Sequence, residues 1–203
     1  MMARIFVVRH GNTFGPGETA RRVGAATDLP LVDSGIRQAG ALGAWFAGQG
    51  IAFGRVLCSP LLRTRQTAAC IVAPMAAPPP IEHTDWLREI DHGPDENQPE
   101  DVVIARIGEA ALHAWDTHGI APDGWTVDTD RRIAAWRTFL ATPPAGDTLL
   151  VTSNGAARFA LLAQPGLSQD REGGLKIRTG AYGVLEQGDN GVLRITDWDR
   201  RPG

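Results

Sequence analysis

Ile5-Phe6-Val7-Val8-Arg9-His10-Gly11-Asn12-Thr13 is a run of four apolar residues followed at once by a cation, an imidazole, a glycine and two short polar side chains. The apolar run, rich in Val and Ile, reads as a buried strand. In an open α/β sheet, ligands bind in the crevice beyond the carboxyl ends of the strands, so Arg9 and His10 are delivered to where a ligand would sit. Gly11 permits a tight turn and close backbone approach, while Asn12 and Thr13 carry groups able to hold an anion. On these residues alone, the competing reading is an ordinary Arg-His surface pair at the end of an edge strand.

Working outward, the loop from Phe14 to Pro30 carries Arg21 and Arg22 and is long for a compact domain, which favours a functional role. Asp33 or Ser34 is expected to cap a helix whose apolar positions Ile36, Ala39, Leu42, Trp45 and Phe46 recur at helical spacing, with Gly48 to Gly50 ending it. Arg55 to Cys58 reads as a second strand, and Ser59-Pro60 as the cap and first residue of a second helix. The order strand, helix, strand, helix is the pattern of parallel βα units. Arg63 falls in the first turn of that second helix, where the positive helix end and a guanidinium together favour an anion. Arg65 reads as a solvated residue.

The second helix ends in the proline-rich stretch Pro74 to Pro80. From Ile81 to Asn97 the chain reads as a polar, acid-rich loop anchored by Trp86, Leu87 and Ile90, and anchored acids in loops are candidates for acid/base work. One long helix is expected from Pro99 to about His118, with His113 and His118 at the surface, and another from Asp130 to Leu140, both as scaffold and substrate-side cover. Asp147 to Thr152 is a third strand, ending in Ser153-Asn154-Gly155 and followed by a helix, Ala156 to Ala163. Tyr182 to Glu186 and Val192 to Thr196, separated by Gly188-Asp189-Asn190-Gly191, read as a β-hairpin at the sheet edge. The expected fold is therefore a single α/β domain over residues 1–203, in three layers, with a mainly parallel sheet, helices on both faces and an edge hairpin.

A formal net charge of −3 and a pI near 5.9 argue against a dedicated nucleic-acid or anionic-membrane surface, so an anion site must be a local cluster of positive charge. No apolar run approaches the ~18 residues that span a bilayer. Met1-Met2-Ala3-Arg4 runs directly into the first strand, and a cytoplasmic location is expected. Cys58 and Cys70 stand in apolar surroundings without metal spacing and read as small buried residues. The five histidines show no metal-ligand pairing, and no metal or other cofactor is implied.

Val8-Arg9-His10-Gly11-Asn12-Thr13 resembles the Arg-His-Gly signature of the histidine phosphatase superfamily, the group that includes cofactor-dependent phosphoglycerate mutases. Asp28-Leu29-Pro30-Leu31-Val32-Asp33-Ser34-Gly35 resembles the family's entry to its first helix. Cys58-Ser59-Pro60-Leu61-Leu62-Arg63-Thr64-Arg65-Gln66-Thr67-Ala68 and Leu87-Arg88-Glu89-Ile90-Asp91-His92-Gly93 resemble two further family segments, in the right order. The resemblance implies that His10 takes up a phosphoryl group, that Arg9 and Arg63 clamp phosphate oxygens and that Glu89 protonates the leaving group. It implies as partner a small phosphorylated metabolite or a phosphoprotein, and leaves the oligomeric state open. Near neutral pH an imidazole is available as a nucleophile, and guanidinium groups neutralise equatorial oxygens bidentately.

Three departures stand beside the match. The family's late strand normally ends in a second histidine, spaced five residues before an arginine; counting back from Arg158 puts Ser153 there, the preferred alignment, whereas alignment on the nearest glycine puts Asn154 there. Either could donate to phosphate, but neither adds positive charge. Asn12 replaces the usual Glu or Gln, and Pro16 stands where the mutases have a phosphate-contacting asparagine, which speaks against a glycolytic mutase. His92 is expected to be a loop histidine facing solvent, with a role as substitute imidazole the less favoured alternative. The resulting expectation is a phosphatase acting through a phosphohistidine at His10, its activity reduced by the replacement at Ser153, with a non-catalytic phospho-ligand binding or regulatory protein as the alternative and a phosphoglycerate mutase less favoured.

Overall fold

The computed structural model describes residues 3–142, 146–164, 166–167, 174–187 and 193–202. Six strands, β1 (Arg4–Arg9), β2 (Arg55–Cys58), β3 (Ile81–His83), β4 (Thr148–Thr152), β5 (Tyr182–Gln187) and β6 (Leu193–Arg200), form one sheet in the order β3-β2-β4-β1-β5-β6. β1 runs parallel to β4, β4 to β2 and β2 to β3, whereas β5 is antiparallel to β1 and to β6. The hairpin lies at the sheet edge as expected, while the expected turn, Gly188 to Gly191, and Val192 fall outside the described residues.

Alternation along β1 splits the core between the two faces. Phe6 and Val8 join a cluster with Leu42 and Phe46 of α1 (Asp33–Gly48) and Ala68 and Ile71 of α2 (Leu62–Val72). Phe6 meets Phe46 and Phe53 edge-on at 5.3 and 5.4 Å between ring centres. Ile5 and Val7 face the other way, onto α3 (Glu100–Ile107), α4 (Glu109–His118), α5 (Thr129–Ala141) and the short α6 (Asn154–Ala157) and α7 (Phe159–Leu162), through Val103, Trp115, Trp136 and Phe159. The result is the three-layer α/β architecture, and it brings the C-terminal ends of β1, β2 and β4 side by side. The His10 N–H donates to the Thr152 carbonyl and the Ser59 N–H to the Val151 carbonyl, each at 3.0 Å.

The helix starts differ from the sequence reading. Val32 is the residue before α1 and makes no side-chain cap, so Asp33 is the first helical residue, where its charge faces the positive helix end; Ile36 is 46 % exposed rather than core. α2 begins at Leu62, not at Pro60, because the Ser59 hydroxyl accepts the Leu61 N–H at 3.3 Å and its carbonyl accepts the Thr64 hydroxyl, which makes a turn before the helix. β3 occupies part of the stretch read as loop; at three residues it is too short for alternation to mark it.

The expected helix over Pro99 to His118 is broken into α3 and α4 at Gly108, whose φ of 80° and ψ of 155° lie in a region open essentially to glycine alone. Gly108→Ala should therefore lower stability by about 1–3 kcal/mol, the strain of a side chain in that region. Urea unfolding measures it. A continuous helix would instead gain from alanine, so a neutral or stabilised variant contradicts the break.

Candidate active site

The loop after β1 is seated before any side chain is placed. A Cβ on Gly11 would lie 2.3 Å from the Gly35 carbonyl oxygen, so only glycine lets the His10 turn pack against the first turn of α1. The Gly11 N–H donates to Thr67 of α2 at 3.1 Å. His10 is 5 % exposed, and its Nδ1 lies 2.8 Å from the Gly11 carbonyl oxygen, which can only accept, so Nδ1 carries the proton. Arg63 Nε donates to His10 Nε2 at 3.2 Å, and a guanidinium can only donate, so Nε2 is bare of a proton and its lone pair accepts that bond. Both assignments follow from the hydrogen-bond network.

Arg63 is fully buried, its other nitrogens donating to the Thr27 carbonyl at 2.8 Å and the Gly24 carbonyl at 3.0 Å. That carbonyl pair is held by Glu96, which accepts the Gly24 N–H at 2.8 Å and the His92 N–H at 3.3 Å. Burial opposes the Glu96 charge, yet the His92 and Thr27 side chains beside it and the two backbone N–H groups take its carboxyl down to about 2. Arg9 donates to the Ile177 carbonyl at 2.8 Å, while its Nε is buried without a partner among the described residues. Burial takes Arg9 down to about 10, with Glu89 opposing and Arg63 adding to the fall, so it stays charged near neutral pH. Burial also lowers Arg63, again against the pull of Glu89. Glu89, 5 % exposed, accepts the Ile90 N–H at 2.9 Å through one oxygen and the Gly155 N–H at 3.0 Å through the other.

The family described as "Histidine phosphatase superfamily (branch 1)" matches residues 5–199 of this chain. The chain belongs to the histidine phosphatase superfamily. Its curated relatives include the "Probable phosphoglycerate mutase GpmB" of Yersinia pestis (strain Pestoides F) and of Yersinia pseudotuberculosis serotype O:1b (strain IP 31758). Each is 32% identical over 186 residues, covering 87% of this chain and 81% of the relative. Among solved structures, the alpha-ribazole phosphatase from Shigella flexneri matches with a TM-score of 0.72 at 20% identity, covering 98% of this chain and 96% of that one. Mycobacterial glucosyl-3-phosphoglycerate phosphatase matches with a TM-score of 0.75 at 20% identity, covering 98% and 99%. These two establish likeness of fold.

Within this member of the superfamily, Arg9, His10, Arg63 and Glu89 gather at the strand ends. Ser153 is fully buried with its hydroxyl unpartnered among the described residues, while Asn154 lines a 220 Å³ cavity with Arg9 and Glu89 and accepts the Ile177 N–H at 2.9 Å. Thr13 lines a second cavity of 420 Å³ together with His10 and Asn12. The Asn12 side chain is engaged, donating to Ser34 at 3.3 Å and accepting from Thr179 at 2.5 Å. Pro16 is exposed. His92 does not face solvent: it is 5 % exposed, stands edge-on to Trp125 at 4.6 Å, and lines the cavity that holds Glu89.

Two arginines that the sequence reading left without a role frame Glu89. Arg132 of α5 donates to the carbonyls of Val127, Arg88 and Glu89 at 2.8, 2.7 and 3.2 Å. Arg158, read only as a spacing mark, is fully buried over the Trp115 ring at 3.8 Å and donates to the Trp115 carbonyl. Nothing local in the sequence separates these from surface arginines.

Burial holds His10 well below the ordinary imidazole value, and the guanidiniums of Arg63 and Arg9 push in the same direction against the weaker pull of the Gly11 carbonyl. The imidazole should thus stay neutral, with Nε2 bare, as pH falls through the ordinary value of about 6.5. Because the unfolded chain then binds a proton that the folded one refuses, His10 lowers stability from that pH downward until the folded value is reached. Nitrogen NMR of the ligand-free protein measures the titration; a His10 midpoint at or above the ordinary value contradicts this electrostatic account.

Proposed function

We propose that this protein is a phosphoric monoester hydrolase working through a phosphohistidine at His10. The observation that carries the reading is the bare Nε2 of a neutral, buried imidazole whose Nδ1 proton is fixed on the Gly11 carbonyl, beside the Arg63 guanidinium. In the first step Nε2 bonds to phosphorus, the ester P–O bond breaks, and the leaving oxygen takes a proton that the incoming phosphate monoanion carries in and the Glu89 carboxylate relays. In the second, water attacks phosphorus, the N–P bond breaks, and Glu89 takes the proton from water. Each Glu89 oxygen accepts one backbone N–H and keeps a second lone pair to carry that proton.

Arg9 and Arg63 neutralise the equatorial oxygens, and the Arg63 Nε–H turns from the imidazole to phosphate when Nε2 is phosphorylated. The unpartnered Ser153 hydroxyl donates to the same group, with Asn154, Asn12 and Thr13 completing its cradle. The substrate is a small phosphorylated metabolite or a phosphoprotein, and residues 1–203 act as one such unit. Two free cysteines suit a cytoplasmic location.

One observation favours a second reading, that of a phospho-ligand binding or regulatory protein. Where the family carries a second imidazole, Ser153 offers a hydroxyl without charge, a loss of about 2–4 kcal/mol of transition-state stabilisation by analogy with removal of an oxyanion donor. A mutase activity, named for the curated relatives, is least favoured, because Pro16 is exposed and offers no donor.

Hydrolysis of a generic aryl phosphate near neutral pH tests these readings. Wild type should turn over, His10→Ala should lose about a thousand-fold or more, and Ser153→His should gain. Undiminished hydrolysis by His10→Ala overturns the nucleophile assignment, and an inert wild type beside an active Ser153→His favours the binding reading.

A further inference from the structure

In the proposed reaction the Glu89 carboxylate relays a proton that it does not itself bring, so a neighbour able to hold that proton bears directly on the chemistry. Among the described residues, Arg9, Arg21, Arg22, His92, Glu100 and Lys176 share the 220 Å³ cavity that Glu89 lines and can carry charge. Most of them are committed elsewhere. A guanidinium donates and keeps its protons. Glu100 accepts from Arg22 through both oxygens, at 2.7 and 2.5 Å, and Lys176 meets Asp116 at 2.6 Å. That leaves His92, and imidazole is the side chain that both takes and gives a proton near neutral pH.

The fold decides which nitrogen of His92 is available. The ring is 5 % exposed and stands edge-on to Trp125 at 4.6 Å. Its Nδ1 edge is closed: that nitrogen is buried 3.5 Å from Glu96 Oε2, without a hydrogen bond among the described residues, and a Cβ on Gly24 would fall 2.5 Å from it. Glu96 is a carboxylate near neutral pH and can only accept, so the nitrogen facing it carries a proton. The ring therefore meets the cavity with its other edge, which carries Nε2. A proton added there makes the ring a cation 3.5 Å from the Glu96 carboxylate, which favours it. Of the other charges on the cavity, Glu89 favours the imidazolium, and the arginines and Lys176 oppose it.

We propose that His92, backed by Glu96, is the proton store behind Glu89: Nε2 accepts the proton that the phosphate monoanion brings and returns it, over the Glu89 carboxylate, to the leaving oxygen. The proposal rests on the monoester hydrolysis put forward above. In its first half the phosphate O–H bond breaks as Nε2–H forms, which leaves the phosphoryl group with its full charge toward Arg9 and Arg63. In its second half Nε2–H breaks as the ester P–O bond breaks, and the proton ends on the leaving oxygen. His92 is neutral again before water attacks, and Glu89 takes the proton of that water.

Two esters that differ in their need for that proton test it. The leaving oxygen of para-nitrophenyl phosphate is weakly basic and departs without a proton, whereas that of para-tolyl phosphate is strongly basic and requires one. His92→Gln keeps a nitrogen but cannot store a proton, and His92→Phe keeps a ring against Trp125. In both, kcat/KM for para-tolyl phosphate should fall by about a hundred-fold, the scale of general acid catalysis, while that for para-nitrophenyl phosphate should fall by less than about three-fold. A structural role for His92 would lower both esters alike, so an equal loss overturns the proposal, as does undiminished para-tolyl hydrolysis. If wild type cleaves neither ester, the hydrolase reading fails separately, and nitrogen NMR of wild type with inorganic phosphate near neutral pH decides. The same measurement decides if neither variant folds. A proton gained at His92 Nε2 as phosphate saturates the protein upholds the store, and an unchanged Nε2 overturns it.

Discussion

Arg63 Nε–H donates to a His10 lone pair 3.2 Å away, and a hydrogen bond of that polarity requires an imidazole that stays neutral next to a cation. In water the imidazole would exchange that donor for solvent; here His10 and Arg63 are 5 % and 0 % exposed, and the pair must be held by the protein around it. Much of the local fold can be traced to that need. The glycine contact between the β1 loop and α1, the carbonyls of Gly24 and Thr27 under Arg63, and Glu96 beneath them all fix one imidazole face against one guanidinium.

Glu89 balances the positive charge that this arrangement concentrates. Its carboxylate opposes the fall that burial imposes on Arg9, Arg63, Arg132 and Arg158, which makes it the common counter-ion of four desolvated guanidiniums. Removing one partner of such a cluster leaves uncompensated buried charge, so the cluster is held together more strictly than surface pairs are. On the proposed reading, an incoming phosphate group meets cations that are already aligned and stripped of water, the condition under which electrostatic stabilisation is strongest.

The α/β class, the three strand ends and the gathering of Arg9, His10, Arg63 and Glu89 were legible because each rests on a local signal: an apolar run that stops at polar residues, or a spaced motif. The start of α2 was not, since Ser59-Pro60 carries cap chemistry but folds into a turn. The break at Gly108 hid because helical periodicity continues across it, and only a backbone angle reveals it. His92 was misread because its burial depends on Trp125 and Glu96, brought in by the fold. Arg132 and Arg158 act through carbonyls and a ring distant in sequence, and no pattern around either one marks that.

The central claim is that phosphoryl transfer passes through His10 Nε2. Intact-mass and fragment analysis after rapid alkaline quenching, during turnover of an aryl phosphate, tests it most directly, since a phosphorus–nitrogen bond to imidazole survives base. The account predicts one phosphoryl group per chain, carried by His10, appearing with substrate and decaying when substrate is exhausted. Turnover with no phosphorylated chain at any quench time, or with the phosphoryl group on another residue, would contradict it.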